Sequence, residues 1–479
     1  MPSRRLFNLS SISVSVLLLC LAPVIGSSGD ALAQSGFGPE IFVRTSKTKN
    51  LFTRAFTVND TSIPYTLTVT NGTDDGLSRI AKGTLILNGT PLIGKPLFNR
   101  RAARIVVALN PQRQNTLTVK LKGGAPGDFV RVSIEPTRST LINDPDGGGF
   151  DDSQSGLAFP FGVVVDQATH RAYVSDKHAD TVFEFDIASA RIVRSFAGVD
   201  GDSAFGNGVT SGISFNRNSG TIVAANVGDP TAGSISIINV GTGAMGLTQL
   251  TDAEGAINPL FVAVNPGNNV AAFNAQYAGR ARRAHFIDLS TGELVVREED
   301  MTLSSTAYNS GADEFVFTGT GTGSPALFVY RGDAPFQRVR RIDSSARAGT
   351  GFEKVAVNPE TNTAVAVNQR DSAAFIFDLA SGREVARIPI NVGPVGEPAA
   401  DVAINPLTNM AVITSRYIPR LTVINLSTGL VTAEIPLPEN TRALGVAIDH
   451  RLNRAVISEN GYSSSQRNGS LFVVELPEP

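Results

Sequence analysis

The segment from Lys354 to Ile390 reads KVAVNPETNTAVAVNQRDSAAFIFDLASGREVARIPI. It contains four short runs of apolar and β-branched residues, KVAVN, TAVAVN, AAFIFD and REVARIPI. Asn, Asp and Gly, which favour tight turns, stand between these runs. Because runs of this kind separated by turn residues are typical of β-strands, the segment predicts a sheet of four short strands.

This pattern recurs along the chain every 44 to 50 residues. Each copy begins with a short strand that ends in Asp or Asn, and second, third and fourth strands follow, except that the last copy has no fourth. The seven first strands are GVVVD (162–166), GISFN (212–216), FVAVN (261–265), STAYN (305–309), KVAVN (354–358), DVAIN (401–405) and GVAID (445–449). Units of four short strands at this period are typical of the blades of a β-propeller. The sequence therefore predicts an all-β protein with a seven-bladed propeller over residues 156–479.

The last repeat has no fourth strand, because the chain ends at PEP after SLFVVEL. The unassigned strand RSTLIN (138–143) lies ahead of the first repeat. We expect this strand to complete the last blade and to close the ring, which would remove open sheet edges. Residues 137–155 are thus predicted to hold a linker and the ring-closing strand.

The repeats resemble the YVTN-type seven-bladed β-propellers of secreted bacterial and archaeal proteins. The resemblance is carried by YVSD (173–176), AVNPETNTAVAVN (356–368) and VINLSTG (423–429), and it extends over about residues 156–476. It implies the propeller fold. It leaves the activity open, since relatives include sugar-lactone hydrolases, an antibiotic-ring lyase and many proteins with no known reaction. The chain contains no Trp, which weighs against WD-type repeats.

Residues 37–136 predict a separate all-β domain, because alternating strands such as PYTLTVTNG and DFVRVSIEP are separated by turn signals. The stretch NTLTVKLKGGAPGDFVRVSI (115–134) resembles immunoglobulin-like modules of bacterial surface proteins. We therefore expect an immunoglobulin-like β-sandwich that serves as a spacer or docking module.

Residues 1–33 have the features of a signal peptide. A basic start, MPSRR, precedes the apolar run ISVSVLLLCLAPVIG and a small-residue cleavage site, ALA, before Gln34. SRRLF also resembles the twin-arginine export motif, so both export routes stay open. Either route predicts a periplasmic or cell-surface protein without a membrane span in the mature chain. The one cysteine, Cys20, lies in this segment. The formal net charge of −2 gives no reason to expect nucleic-acid binding.

Polar residues at the ends of second strands and in the connections between blades are candidates for a ligand site at the channel mouth. Such a site would suit a protein, a glycan or a small polar ligand. The alternative is that Asp and Asn satisfy turn amides and His178 is a solvated turn residue. The candidates are Asp176, His178, Asn226, Gln276, Tyr277, Glu353, Gln369, Arg370, Glu397, Arg416, Tyr417, Arg442 and Glu459.

NDPDGGGFDD (143–152) is the sharpest local motif. Asp144, Asp146 and Asp152 have the spacing of calcium loops in secreted repeat proteins, although Gly148 stands where another acid is expected. Ca²⁺ is therefore the one metal that the sequence indicates, and a flexible linker explains the same residues. No other cofactor is indicated.

These features favour an exported, non-enzymatic propeller that acts as a binding or scaffold protein. One alternative is a metal-assisted lactonase or lyase at the channel, in which a metal polarises a carbonyl and His178 or a nearby Glu moves a proton. Another is a structural component of a surface layer or envelope.

Overall fold

The chain is all-β in the parts that its structure, a computed structural model, describes. No helix in these parts is long and apolar enough to cross a membrane. The described residues are 36–46, 48–58, 61, 65–73, 76–94, 98, 104–109, 111–136, 139–143, 157, 159–177, 179–197, 209–227, 233–252, 255–276, 283–299, 302–320, 323–393, 401–438, 441–459 and 469–477.

The N-terminal part forms two antiparallel arrays of strands, in the orders β1-β8-β3-β6 and β2-β7-β4-β5. Alternate side chains of β3, among them Tyr65, Leu67 and Val69, are buried in one apolar core with Leu117 and Val119 of β7. This period-2 burial is what alternating apolar and polar residues produce in a strand. The strands are β1 (Phe37–Val43), β2 (Asn50–Thr57), β3 (Tyr65–Asn71), β4 (Lys82–Leu87), β5 (Thr90–Ile93), β6 (Arg104–Leu109), β7 (Gln114–Lys122) and β8 (Phe129–Pro136).

From residue 160 onward the described chain forms repeated four-stranded antiparallel sheets, numbered here from first to seventh in chain order. The first sheet comprises β10 (Pro160–Asp166), β11 (Arg171–Asp176), β12 (Thr181–Asp186) and β13 (Arg191–Ala197), and the second comprises β14 (Val209–Asn216), β15 (Thr221–Val227), β16 (Ser234–Asn239) and β17 (Met245–Gln249). A hairpin of β18 (Thr251–Asp252) and β19 (Gly255–Ala256) follows. The third sheet comprises β20 (Asn258–Asn265), β21 (Val270–Gln276), β22 (Arg283–Asp288) and β23 (Leu294–Glu298).

The fourth to seventh sheets repeat the arrangement. The fourth sheet comprises β24 (Thr302–Asn309), β25 (Glu314–Thr320), β26 (Ala326–Arg331) and β27 (Arg338–Asp343), and the fifth comprises β28 (Lys354–Asn358), β29 (Thr363–Asn368), β30 (Ala373–Asp378) and β31 (Arg383–Pro389). The sixth sheet comprises β32 (Val402–Asn405), β33 (Met410–Ile413), β34 (Arg420–Asn425) and β35 (Leu430–Pro436). The seventh comprises β36 (Ala443–Asp449), β37 (Arg454–Glu459), β38 (Ser470–Glu475) and β9 (Ser139–Asn143).

Strand β9 supplies the fourth strand of the seventh sheet. It pairs antiparallel with β38, in a register that places Asn143 opposite Ser470 and Leu141 opposite Phe472. This is the pairing that the sequence predicted for RSTLIN. A segment that precedes the first sheet in the chain thus lies beside the strand that ends the last sheet.

The first strands of consecutive sheets contact one another in chain order, and β36 of the seventh sheet contacts β10 of the first. Separate apolar clusters lie between neighbouring sheets, including one that joins Val165 and Phe183 of the first sheet to Val456 and Val473 of the seventh. The second strands are the most deeply buried, as in β29, where five consecutive residues are buried, because they are covered by a sheet on either side. Burial of this apolar surface is the main force that holds the sheets together.

Hydrogen bonds between side chains also join neighbouring sheets where the first strands end. The terminal Asn of a first strand accepts the amide of its own turn, as Asn358 Oδ1 accepts the N–H of Glu360 at 3.0 Å. Its Nδ2 donates to a residue with positive φ in the first turn of the next sheet. Across the described sheets these pairs are Asn216–Asn269 (2.8 Å), Asn265–Asp313 (2.8 Å), Asn309–Asn362 (2.6 Å), Asn358–Asn409 (2.7 Å) and Asn405–Asn453 (3.0 Å).

The residue that ends the first strand also joins the seventh sheet to the first, but here it is an Asp that pairs with a His. Asp449 Oδ2 lies 2.6 Å from Nδ1 of His170, which also has positive φ. Between the first and second sheets the equivalent turn residue is Gly220, which has no side chain. These two sheets are instead joined at the other end of the first strands, where Ser175 Oγ donates to the carbonyl of Ser211 at 2.8 Å. We call these pairs, from Asn216 round to His170, the inter-sheet ladder.

The N-terminal part is joined to the sixth sheet at a strand edge. Strand β6 lies parallel to β35, with Val106 opposite Ala433, so the array β1-β8-β3-β6 continues into β35-β34-β33-β32. The outer edge of the sixth sheet is thereby covered.

The ladder predicts that Asn358→Ala destabilises the protein by about 1–3 kcal/mol, because the substitution leaves the Glu360 amide and the Asn409 Oδ1 without partners. Asn425→Ala is the matched control, since Asn425 Oδ1 accepts a turn amide, from Thr428, at the end of a third strand and makes no bond of the ladder. The control is expected to cost less than about 1 kcal/mol. Denaturant unfolding measures both, and equal losses for the two variants would contradict a role for the ladder.

Candidate functional site

Some of the predicted site residues lie outside the described part of the chain. They are Asp144, Asp146 and Asp152 of the predicted calcium loop, together with His178, Tyr277 and Glu397. Gln276 ends β21, and only its backbone is described. These assignments stay predictions. Among the described residues, no group of three or more His, Cys, Asp or Glu side chains is placed to hold a metal ion.

Two predicted residues at the ends of second strands make contacts within their own sheets. Asp176 is fully buried, and its carboxylate accepts the amides of Phe159 at 2.9 Å and Ala179 at 3.0 Å. Asn226 is also buried and donates to Ser234 Oγ at 3.0 Å and Ser236 Oγ at 2.8 Å. Asp176 thus fixes its local loop, which is the structural role that Asp has in turns, and Asn226 joins β15 to β16.

The other predicted residues differ in their exposure. Gln369 is buried and Arg370 is exposed, whereas Arg416, Arg442 and Glu459 are half-buried. Tyr417 is 38% exposed. The structure brings Glu353 together with Gln369, whose backbone amide donates to Glu353 Oε2 at 3.0 Å.

Burial raises the pKa of Glu353 to about 7, and the bond from the Gln369 amide and the nearby charge of Arg370 only partly oppose this effect. The nearby carboxylate of Asp371 acts in the same direction as burial. Glu353 therefore changes its charge close to neutral pH, which no ordinary carboxyl group does.

Next to Glu353, side chains from three non-adjacent sheets, the first, the third and the fifth, come together. The rings of Phe161 in the first sheet and Phe261 in the third are stacked with centroids 6.2 Å apart. The Nζ of Lys354, in the fifth sheet, lies 3.2 Å from the centroid of the Phe261 ring. The Nζ of Lys177 lies 5.4 Å from the centroid of Phe161. We call these four residues and Arg416 the mouth cluster, since they lie at the end of the first strands opposite the ladder.

The mouth cluster holds its cations in poorly hydrated surroundings. Burial lowers the pKa of Lys354, and the carboxylate of Asp401 opposes this effect. Burial also lowers the pKa of Lys177, and the positive charge of Arg416 adds to the shift. Among the described residues, no carboxylate lies within 4 Å of either ammonium group. Cations over aromatic faces, without an ion-pair partner, suit an anionic ligand that also has apolar groups.

Sequence reasoning identified Glu353 and Arg416 but missed Phe161, Phe261, Lys177 and Lys354. A signal for two of them is present in the repeats. Phe261 and Lys354 stand four residues before the Asn that ends the first strand, where the first, second and seventh repeats have Gly. A large or charged residue at a position that is otherwise small marks a departure from what packing requires.

No protein-family model matches the chain. No curated protein matches it either. Solved structures do match. The WD40 repeats of RRP9 align with a TM-score of 0.54 at 11% identity, over 71% of this chain and 97% of that chain. Hydrazine synthase of Kuenenia stuttgartiensis aligns with a TM-score of 0.53 at 12% identity, over 68% and 98%. The β-propeller domain of Cps50 (Swd1) from Myceliophteria thermophila aligns with a TM-score of 0.53 at 9% identity, over 71% and 100%.

Identities this low show a shared fold and nothing more. The chain is therefore an all-β protein of repeated four-stranded sheets with the β-propeller fold. Its likeness to WD40 structures does not depend on WD-type repeats, since the chain contains no Trp.

The raised pKa of Glu353 predicts that the free energy of unfolding depends on pH. A carboxyl group that binds its proton more tightly in the folded state contributes stability that is fully present below its unfolded pKa, 4.5, and is lost as the pH rises through about 7. We therefore expect the unfolding free energy of the wild type to fall, relative to that of Glu353→Gln, by about 1–3 kcal/mol between pH 4.5 and 7.5.

Urea unfolding of both proteins at several pH values measures this difference. All other titrating groups are common to the two proteins, so their contributions cancel. A difference in unfolding free energy that stays constant from pH 4.5 to 7.5 would contradict the burial of this carboxyl group.

Proposed function

We propose that the protein is an exported, non-enzymatic scaffold whose propeller binds a partner protein at the mouth cluster. In this proposal the repeated sheets form a closed, seven-bladed ring of the YVTN type, and β9 completes the last blade. The contact between β36 and β10 and the pairing of β9 with β38 support this arrangement. The N-terminal strands, with their single apolar core, are an immunoglobulin-like sandwich that is docked on the sixth blade.

Export is supported by the signal-like composition of residues 1–33, which lie outside the described residues. The proposed location is the periplasm or the cell surface. Ca²⁺ bound by Asp144, Asp146 and Asp152 would order the connection between the sandwich and the ring.

The mouth cluster carries the proposal for binding. Two stacked phenylalanine rings supply an apolar surface, and two lysines beside them have lowered pKa values and no carboxylate within ion-pair distance in the described chain. An acidic side chain of a partner would form an ion pair with the lysines, and an aromatic side chain would cover the rings. The partner that fits best is thus a protein segment that combines Asp or Glu with Phe or Leu.

The test uses a fluorescein-labelled peptide of alternating Glu and Phe residues, with the full exported chain as its receptor. We expect Lys177→Gln with Lys354→Gln to weaken binding at least about 10-fold, because hydrogen bonds from charged groups to the peptide carboxylates are lost. Lys122→Gln, which alters an exposed lysine of β7 in the N-terminal part, is the control and should bind as the wild type does.

Fluorescence anisotropy gives the dissociation constants. A second peptide, in which Lys replaces each Glu, should not bind. Equal binding of the two peptides, or wild-type affinity in the double lysine variant, would overturn the proposal that the mouth cluster recognises an acidic segment.

A further inference from the structure

An open groove lies away from the mouth cluster, towards the end of the first strands where the inter-sheet ladder runs. It has a volume of about 330 Å³ and is bounded by β14, β20 and β24, the first strands of the second, third and fourth sheets. This volume falls within the range of small-molecule sites in proteins. We call it the ladder-side groove.

Small side chains at one register position make room for the groove. Ser214, Ala263 and Ala307 all line it, and each stands two residues before the Asn that ends its first strand. A larger residue at this position, such as Val164 in the first sheet, would extend further into the space that the groove occupies. The groove is therefore formed by three consecutive sheets and not by one unusual loop.

The wall of the groove includes a buried hydroxyl group without a hydrogen bond. Thr306 is only 8% exposed, and its Oγ1 is buried without a partner in the protein. A buried hydroxyl that makes no hydrogen bond costs free energy, so native proteins almost always pair such groups with protein, water or a ligand. Oγ1 itself is closed off from the groove, so a molecule in the groove supplies the missing partner only after the Thr306 side chain turns about its Cα–Cβ bond.

The rim of the groove carries a cation and further hydroxyl groups. Arg217 lies there, is exposed and has no carboxylate within 4 Å among the residues that the structure describes. Ser310 lies across the groove on the fourth sheet. The hydroxyl of Tyr308 donates to Asp313 Oδ1 at 2.8 Å, which fixes the ring in the wall. Asp313 also accepts a bond from Asn265 and is thus held by the ladder.

The geometry points to a small sugar acid as the ligand of this groove. The carboxylate of the sugar acid pairs with the guanidinium of Arg217, which can donate two parallel hydrogen bonds. The sugar hydroxyls bond to the hydroxyl of Ser310 and, once the Thr306 side chain has turned, to Thr306 Oγ1. The site is independent of the proposed partner at the mouth cluster, because the two share no residue.

The test measures binding of sodium D-glucuronate to the full exported chain by isothermal titration calorimetry. D-Glucose, which lacks the carboxylate, and acetate, which lacks the hydroxyls, are the matched probes. We expect each of them to bind at least about 10-fold more weakly than glucuronate, because each loses one of the two kinds of contact.

Two variants locate the binding. Thr306→Val keeps the shape of the side chain, and we expect it to weaken glucuronate binding about 3- to 10-fold. The melting temperature of this variant should equal or exceed that of the wild type, since no protein hydrogen bond is lost. Arg217→Gln should weaken glucuronate binding at least about 10-fold. Lys354→Gln, in the mouth cluster, is the control and should leave glucuronate binding unchanged.

The inference is overturned if glucuronate gives no binding heat at millimolar concentration, or if acetate binds as tightly as glucuronate. Wild-type affinity in both Thr306→Val and Arg217→Gln would also overturn it, because the ligand would then bind elsewhere. Loss of peptide binding at the mouth cluster with unchanged glucuronate binding, or the reverse, separates this inference from the proposed function.

Discussion

A buried Asn at the end of a first strand makes two kinds of hydrogen bond at once, and the arrangement of the sheets depends on both. Its oxygen accepts the amide of its own turn, and its nitrogen reaches the turn of the next sheet, as Asn358 does with Glu360 and Asn409. Apolar clusters between the sheets supply most of the stabilising free energy, but such contacts are not directional. The ladder adds direction, because each bond requires one position and one orientation of the neighbouring sheet.

The ladder also relates the two proposed sites to the fold. It holds Asp313, which accepts the hydroxyl of Tyr308 in the wall of the ladder-side groove. At the opposite end, where the first strands begin, side chains bond to the backbone of the neighbouring sheet, as Thr414 Oγ1 donates to the Leu444 carbonyl and Ser458 Oγ to the Phe161 carbonyl. In the first, second and seventh sheets a glycine stands there, and a Cβ on it would meet the backbone of the next sheet, whereas Phe261 and Lys354 occupy the same position in the third and fifth sheets.

The repeat, its four strands and the turn role of Asn and Asp could be predicted from the sequence because they depend on local patterns. The pairing of β9 with β38 was also predictable, since one repeat had a strand too few and one strand had no repeat. The ladder could not be predicted, because it joins residues 48 to 53 positions apart, and 279 positions apart for His170 and Asp449, whose approach depends on how the sheets pack. The mouth cluster, apart from Arg416, was missed for the same reason, as its members come from the first, third, fifth and sixth sheets. The attachment of β6 to β35 carries no sequence signal at all.

The most direct measurement is native-state hydrogen exchange of the second strands. If the ladder and the seventh-to-first joint through His170 and Asp449 close one cooperative ring, the amides of β11 in the first sheet and β37 in the seventh should be protected as strongly as those of β29 in the fifth. Protection factors for β11 and β37 about 100-fold or more below those of β29 would contradict the closed ring that we propose.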